Sequence, residues 1–331
     1  MHPNKKPFSK DILKIDDIPA LVEKLGQKLK DDTFKEYKRR GTVIGISGGI
    51  DSSVSMALAV NALGSDRVFG VMIPEKDSSP DSLKLAGDLA KQYGVKTVVE
   101  NISPALNGFA CYDRRDEAVK HVFPEYEPKS YKMKIGVHQS GLNQNLPPLF
   151  YLTIIAPNGD QKSKVLPVID YLQIVAASNF KQRSRMAIVY YYAELLHYIV
   201  IGTANKQEID EGFFVKYGDG GADVFPLAGL YKTQVYQLAE HLGVPQEIID
   251  RTPTTDTYTA EQTQEEFFYQ LPFDILDIMW YGFENGYDTQ EVAKVMGKTK
   301  EEVEIIFCNF ARKMKTTEYL RHQPIYYPGN D

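Results

Sequence analysis

Gly45-Ile46-Ser47-Gly48-Gly49-Ile50-Asp51-Ser52-Ser53 follows an apolar, β-prone segment (residues 42–46) and opens a small-residue, helix-prone one (54–63). That context reads as strand, tight glycine turn and helix N-terminus. Two adjacent glycines let the backbone curl so that several N–H groups converge on one concavity. The helix dipole and the unpaired N–H groups of the first turn add to the positive field, and Ser47, Ser52 and Ser53 supply hydroxyls. The product is an anion cradle of pyrophosphate size. Asp51 is the odd member, because a carboxylate repels phosphate unless a cation such as Mg²⁺ sits between them.

Working outward, short apolar runs alternate with amphipathic helices. Strands are expected at 42–47, 67–73 and 96–102, with helices at 52–63 and 81–93 between them. This grammar predicts an α/β fold with a doubly wound parallel sheet flanked by helices, preceded by an amphipathic helix within 12–38. Between 111 and 170 the regularity lapses. Prolines recur there, and Asn158-Gly159 between two apolar runs (149–155 and 162–168) signals a β-hairpin inside an insertion. Sheet grammar resumes with a helix at 171–196, a strand at 198–203 and a helix at 232–242. The part from 260 to 315 reads as mostly helical, and the whole chain, 1–331, reads as one domain. In such sheets ligands sit beyond the carboxyl ends of the strands at a topological switch point, which is where the Ser47 loop belongs.

The string S-G-G-x-D-S after a strand is not a Walker A loop, since no Lys follows the second glycine. It resembles the pyrophosphate loop of the N-type ATP pyrophosphatases, the adenine nucleotide alpha hydrolase-like enzymes that cleave ATP to AMP and pyrophosphate. The acceptor is named by later motifs. These are Asn179-Phe180-Lys181-Gln182-Arg183-Ser184-Arg185-Met186, the strand end Gly202-Thr203 with Glu208, the loop Lys216-Tyr217-Gly218-Asp219-Gly220-Gly221-Ala222-Asp223, Lys232, and Pro253-Thr254-Thr255-Asp256. Together, in this order, they resemble the NAD synthetases, which amidate the nicotinate carboxylate of deamido-NAD.

That resemblance implies a role for each matching residue. Gly45, Ile46, Ser47, Gly48, Gly49, Ile50, Asp51 and Ser52 would hold the ATP phosphates, helped by Thr203, Thr254 and Lys232. Asp51 and Glu208 would hold Mg²⁺, Asp51 and Lys232 would carry the catalysis, and Asn179, Arg183, Lys216 and Asp223 would bind deamido-NAD. It also implies a homodimer with the acceptor site at the two-fold interface. Two departures stand out. Where the family commonly carries a second basic residue near the C-terminus this chain has Leu320, and the family's acidic Leu-Gly turn is replaced by Gln264-Glu265-Glu266-Phe267-Phe268-Tyr269.

Bulk properties fit this reading. The chain has 331 residues, 43% of them hydrophobic, and a formal net charge of −6, which argues against a nucleic-acid partner. Two distant cysteines, Cys111 and Cys308, offer neither a disulfide framework nor metal spacing and point to a reducing cytoplasm. No apolar run approaches a membrane span or a signal peptide. Glutamine-dependent relatives carry a glutaminase domain with a cysteine nucleophile. Neither cysteine here has that context, so free ammonia is the expected nitrogen donor, a separate amidotransferase subunit being the alternative.

Overall fold

The computed structural model of the chain describes residues 5–138, 149–255 and 257–327. Four strands, β1 (Thr42–Gly45), β2 (Val68–Met72), β3 (Lys96–Val99) and β7 (Ile199–Ile201), pair in the order β3-β2-β1-β7, every neighbour parallel. Side-chain alternation divides them between two apolar layers. Ile44, Val68, Met72, Ile199 and Ile201 face α1 (Ile18–Asp31), α2 (Ile50–Leu63), α3 (Pro80–Gln92) and α8 (Lys232–Leu242). Val43, Val71 and Val200 face α4 (Ser103–Gly108), α5 (Cys111–Val122) and α6 (Val168–Leu196). Helix α2 lies between sheet and outer helices, which is why Val54, Met56, Ala57, Leu58 and Ala59 are all buried and its apolar residues are not confined to one stripe.

The chain leaves β1 toward β2 and β3, then returns to place β7 on the other side of β1. The switch point therefore lies between β1 and β7, so the Gly45–Ser53 loop and Gly202-Thr203 leave the sheet side by side, as the sequence predicts. The expected strands and helices at 42–47, 52–63, 67–73, 81–93, 96–102 and 198–203 are present with bounds shifted by a few residues, and α8 has the expected bounds.

The segment 111–170 is more regular than its sequence suggests. Residues 111–122 form α5. The hairpin of β5 (Leu149–Ile155) and β6 (Gln161–Val165) is joined by β4 (Lys132–His138) in an antiparallel sheet of order β4-β5-β6. The turn is the one expected, with Gly159 at φ +88°. The second hairpin strand stops at Val165, short of 168, because Pro167 occupies the N-cap of α6, where its φ of −59° suits a helix start. Helix α6 accordingly begins three residues before the expected Tyr171. Met133, Ile135, Leu152 and Ile154 point inward and form a separate core with Phe123, Tyr126 and Ile174.

The C-terminal part is helical as expected: α9 (Gln246–Ile249), a π-helical turn (Glu265–Tyr269), α10 (Phe273–Glu284), α11 (Thr289–Met296), α12 (Lys300–Thr316) and α13 (Glu318–Arg321). Its core around Trp280, Leu276 and Phe310 also takes in Phe8 and Leu13 from the N-terminal segment. Among the described residues no helix is long and apolar enough to cross a membrane.

Candidate active site

The phosphate loop is shaped by its own hydroxyls. Ser47 Oγ accepts from Gly49 N at 3.2 Å and lies 3.1 Å from Ser52 Oγ, and the Ser52 and Ser53 hydroxyls donate to Gly49 O at 3.0 and 2.8 Å. No side chain caps α2, so its first N–H groups stay available to an anion. Gly48 sits at φ +75°, and a Cβ there would lie 2.5 Å from Ser82 O. Both the left-handed backbone and the close approach of α3 demand glycine. Gly48→Ala is therefore expected to displace the loop and raise the KM for ATP at least tenfold, measured by initial rates against ATP concentration.

From the other side of the switch point comes α7 (Lys206–Glu211). Asn205 and Glu208 form a reciprocal cap: Glu208 N donates to Asn205 Oδ1 at 3.1 Å and Asn205 N to Glu208 Oε2 at 3.0 Å. Asn205 Nδ2 also donates to Asp51 Oδ1 at 3.2 Å, so one amide ties the two loops together. Lys232, the first residue of α8, is wholly buried and its ammonium donates to Asp51 Oδ2. Burial alone would push the Lys232 ammonium down. The carboxylates of Asp51 and Glu208 more than reverse this and hold it above the ordinary lysine value. Burial, then the Asp51 charge, pushes the Glu208 carboxyl up to about 8, with Lys232 pulling the other way.

The Asp51 charge thus disfavours ionisation of Glu208, although Lys232 stands beside both. Among the described residues no group of three or more His, Cys, Asp or Glu gathers for a metal. Two carboxylates beside a phosphate cradle nevertheless suit Mg²⁺, which fills the rest of its shell with water and phosphate oxygens.

Two cavities meet here. One, of about 320 Å³, is lined by Gly45, Ile46, Ser47, Gly49, Ile50, Asp51, Ser52, Thr203 and Thr254, and so brings together most of the residues expected to hold ATP. Lys232 reaches it only through its contact with Asp51. The second, of about 500 Å³, contains Asn179 and is walled by Phe150, Tyr171, Phe213, Phe214, Tyr258, Phe267 and Phe268. Gln182, Arg185, Glu208, Phe213, Asp219 and Gln264 line both.

Neither cavity is lined by Arg183, Lys216 or Asp223. Arg183, exposed on α6, donates to Lys216 O at 3.3 Å, and Lys216 Nζ donates to the carbonyls of Tyr319 and His322 at 3.1 and 2.8 Å. The two cations therefore form a ridge with the C-terminal segment. Asp223 faces the sheet, where its carboxylate accepts from Val200 N at 2.7 Å and from Tyr190 OH at 3.2 Å. Beside Leu320, Arg321 is engaged with the carbonyls of Ile209 and Met314. Asp256 lies outside the described residues.

Some lining residues were not singled out by sequence reasoning. Arg251 lines the smaller cavity and Asp219 and Arg185 the junction; the last two lie within the motifs quoted above, whereas Arg251 carries no local signal.

A doubly wound sheet with an S-G-G-x-D-S loop at its switch point, a buried lysine and two facing carboxylates defines an enzyme that splits ATP between its α- and β-phosphates. The family model described as NAD synthase matches residues 20–129 and 160–324, and the chain belongs to that family. It is 45% identical over 322 residues to the NH(3)-dependent NAD(+) synthetase of Rhizobium meliloti (strain 1021), covering 97% of this chain and 95% of that protein. Among solved structures it shares its fold with the NMN synthetase of Francisella tularensis (TM-score 0.63, 24% identity, 95% of this chain and 99% of that one). It shares it also with the NH3-dependent NAD synthetase of Campylobacter jejuni (TM-score 0.62, 19% identity, 95% and 100%).

Proposed function

We infer that the protein is an ammonia-dependent NAD⁺ synthetase, a ligase that converts deamido-NAD to NAD at the expense of ATP, with release of AMP and pyrophosphate. The observation that carries this reading is the junction at Glu208, where the cavity lined by the Gly45–Ser52 loop and Asp51, itself paired with Lys232, meets an aromatic-walled cavity suited to a flat heteroaromatic ring. A carboxylate is a poor acyl donor, so its oxygen first attacks the α-phosphorus and pyrophosphate leaves. Ammonia then attacks the carboxyl carbon, AMP leaves, and the nitrogen sheds its proton. The task is to hold two anions in line without mutual repulsion, which is a matter of positioning and charge.

In this reading the N-terminus of α2 and the loop hydroxyls take the phosphates, and Lys232 contributes its charge from behind Asp51. Asp51 and Glu208 are the residues that would hold Mg²⁺, which when bound screens the phosphate oxygens. Thr203 and Thr254 orient the nucleotide. The nicotinate end enters where the cavities meet, beside Phe213 and Asp219, with Asn179 on the wall of the aromatic cavity, and the Arg183–Lys216 ridge takes the remote phosphates or ribose of the dinucleotide.

An exposed apolar face on α6 supports the homodimer. Ile169, Leu172, Tyr191 and Leu195 recur on one exposed face with Arg183 between them. Pairing two copies along that face would bring the ridge into the interface. Tyr191→Asp with Leu195→Asp is accordingly expected to yield monomers in sedimentation velocity and to weaken the KM for deamido-NAD more than that for ATP. Cys111 and Cys308 are both free thiols, which agrees with a cytoplasmic protein.

The decisive assay supplies purified protein with deamido-NAD, ATP and Mg²⁺, comparing ammonium with glutamine, and sets nicotinate mononucleotide beside deamido-NAD as acceptor. Ammonium is expected to support NAD formation and glutamine not. A preference for the mononucleotide would move the assignment to a related amidation.

A further inference from the structure

The NAD synthase model passes over residues 130–159, which carry β4 and β5. That added sheet does not stand apart from the site. The segment on either side of residue 256 folds back on itself: Thr254 bridges to Thr263, Thr255 N donates to Gln262 O at 3.1 Å, and Gln264 N donates to Pro253 O at 2.9 Å. The inner limb supplies Thr254 and Thr255 to the ATP cavity and Thr255 and Thr257 to the aromatic one.

The outer limb is bound to the added sheet. Met133 N donates to Thr259 Oγ1 at 2.7 Å, Ala260 N donates to Met133 O at 3.1 Å, and Gln262 Nε2 donates to Ile135 O at 2.9 Å. Lys134 pairs with Glu266 at 2.7 Å. Tyr258 is buried in the core that Met133, Ile135, Leu152 and Ile154 build. A second anchor comes from α6. The Lys181 ammonium donates to Thr257 O at 3.1 Å and is itself held by Glu75 and Asp77 at 2.9 and 2.8 Å, while Arg115 of α5 donates to Asp77 at 2.6 Å. These charges are almost wholly buried, so each partner is fixed by the need to compensate the others.

We propose that the added sheet is a positioning element for the amidation reaction: it holds the outer limb of this loop, and Thr259 and Gln262 are the residues through which the inner limb arrives pre-shaped against both nucleotide cavities. The proposal rests on the reading of the protein as an NAD synthetase. Its logic is that of a binding-competent fraction. A loop ordered before binding asks nothing of the substrates, whereas a released loop must be ordered by them, and apparent affinity falls by the fraction of time it is in place. Neither Thr259 nor Gln262 lines a cavity, so their loss changes no direct contact with substrate.

The test is the double variant Thr259→Val with Gln262→Leu, assayed for NAD formation by initial rates in both substrates. KM is expected to rise about tenfold for ATP and for deamido-NAD alike, with kcat within twofold of the parent, because saturating substrate restores the ordered loop. Thr259→Ser with Gln262 intact keeps an acceptor for Met133 N and is expected to return KM to the parent value. Should the double variant not fold, Thr259→Val alone is read in the same way. Unchanged KM values, with kcat either unchanged or lowered, overturn the proposal, since a loss of folded material alone lowers the apparent kcat and leaves KM alone. A parent protein that makes no NAD would instead defeat the functional reading.

Discussion

Lys232→Met is expected to lower kcat/KM for NAD formation about a thousandfold, or ~4 kcal/mol of transition-state stabilisation, while leaving the protein folded. The lysine is wholly buried and contacts Asp51, so its charge acts in a place where solvent cannot replace it. In the proposed reading, negative charge accumulates beside the α2 N-terminus as the pentavalent α-phosphorus forms, and a fixed cation behind Asp51 needs no reorganisation to meet it. Methionine matches the stem of lysine and still packs on Phe273, over whose ring the ammonium lies. Asp51 keeps its hydrogen bond from Asn205 and remains partly solvated, so the unpaired carboxylate is tolerated. Lys232→Arg is expected to recover little, because a planar fork does not fit a fully buried point-charge site. The effect should appear in kcat as well as KM, measured by pyrophosphate release. A variant within tenfold of the parent would remove Lys232 from the catalytic step.

How far the sequence carried this picture depended on how local each signal was. The Gly45–Ser53 string, the strands around it and the strand end Gly202-Thr203 with Glu208 are encoded within a few residues, so both walls of the switch point are legible, whereas the Asn205 cap that ties them together shows only in the fold. Strand β4 is hard to read from the sequence although Met133 and Ile135 alternate with Lys132 and Lys134, because the alternation is short and stands between proline-bearing stretches. Helix α5 gives a weak local signal because half of its residues are charged, and only the fold shows that Arg115 is spent on Asp77 and Asp116. The same holds for Lys181 and Asp223. Each lies in a recognisable motif, and each is turned to a buried partner contributed by a distant element. A motif specifies which residue types are present; whether a cation meets substrate or a neighbouring carboxylate is set by packing that no local pattern encodes.

Asp51→Asn combined with Glu208→Gln is expected to reduce NAD formation to below about one-thousandth and to flatten its dependence on Mg²⁺ concentration. Both replacements retain an acceptor oxygen. The amide introduced at position 51 can still accept from the Asn205 side chain, and the one introduced at position 208 can still accept from the Asn205 backbone N–H. The reciprocal cap of α7 therefore survives, and the change is one of charge. What it leaves behind is Lys232 buried without a counter-ion, a situation that costs about 3–5 kcal/mol when one partner of a buried pair is removed. Thermal unfolding should therefore shift down, and the assay must run well below the new transition, with near-UV circular dichroism confirming native packing. Glu208→Gln alone separates the two consequences, because Asp51 then still compensates Lys232. Stability should stay near that of the parent while the Mg²⁺ requirement moves to higher concentration. If the double variant kept a rate that still climbed with Mg²⁺ to within tenfold of the parent, the two carboxylates would be structural partners of Lys232 and the metal would bind elsewhere.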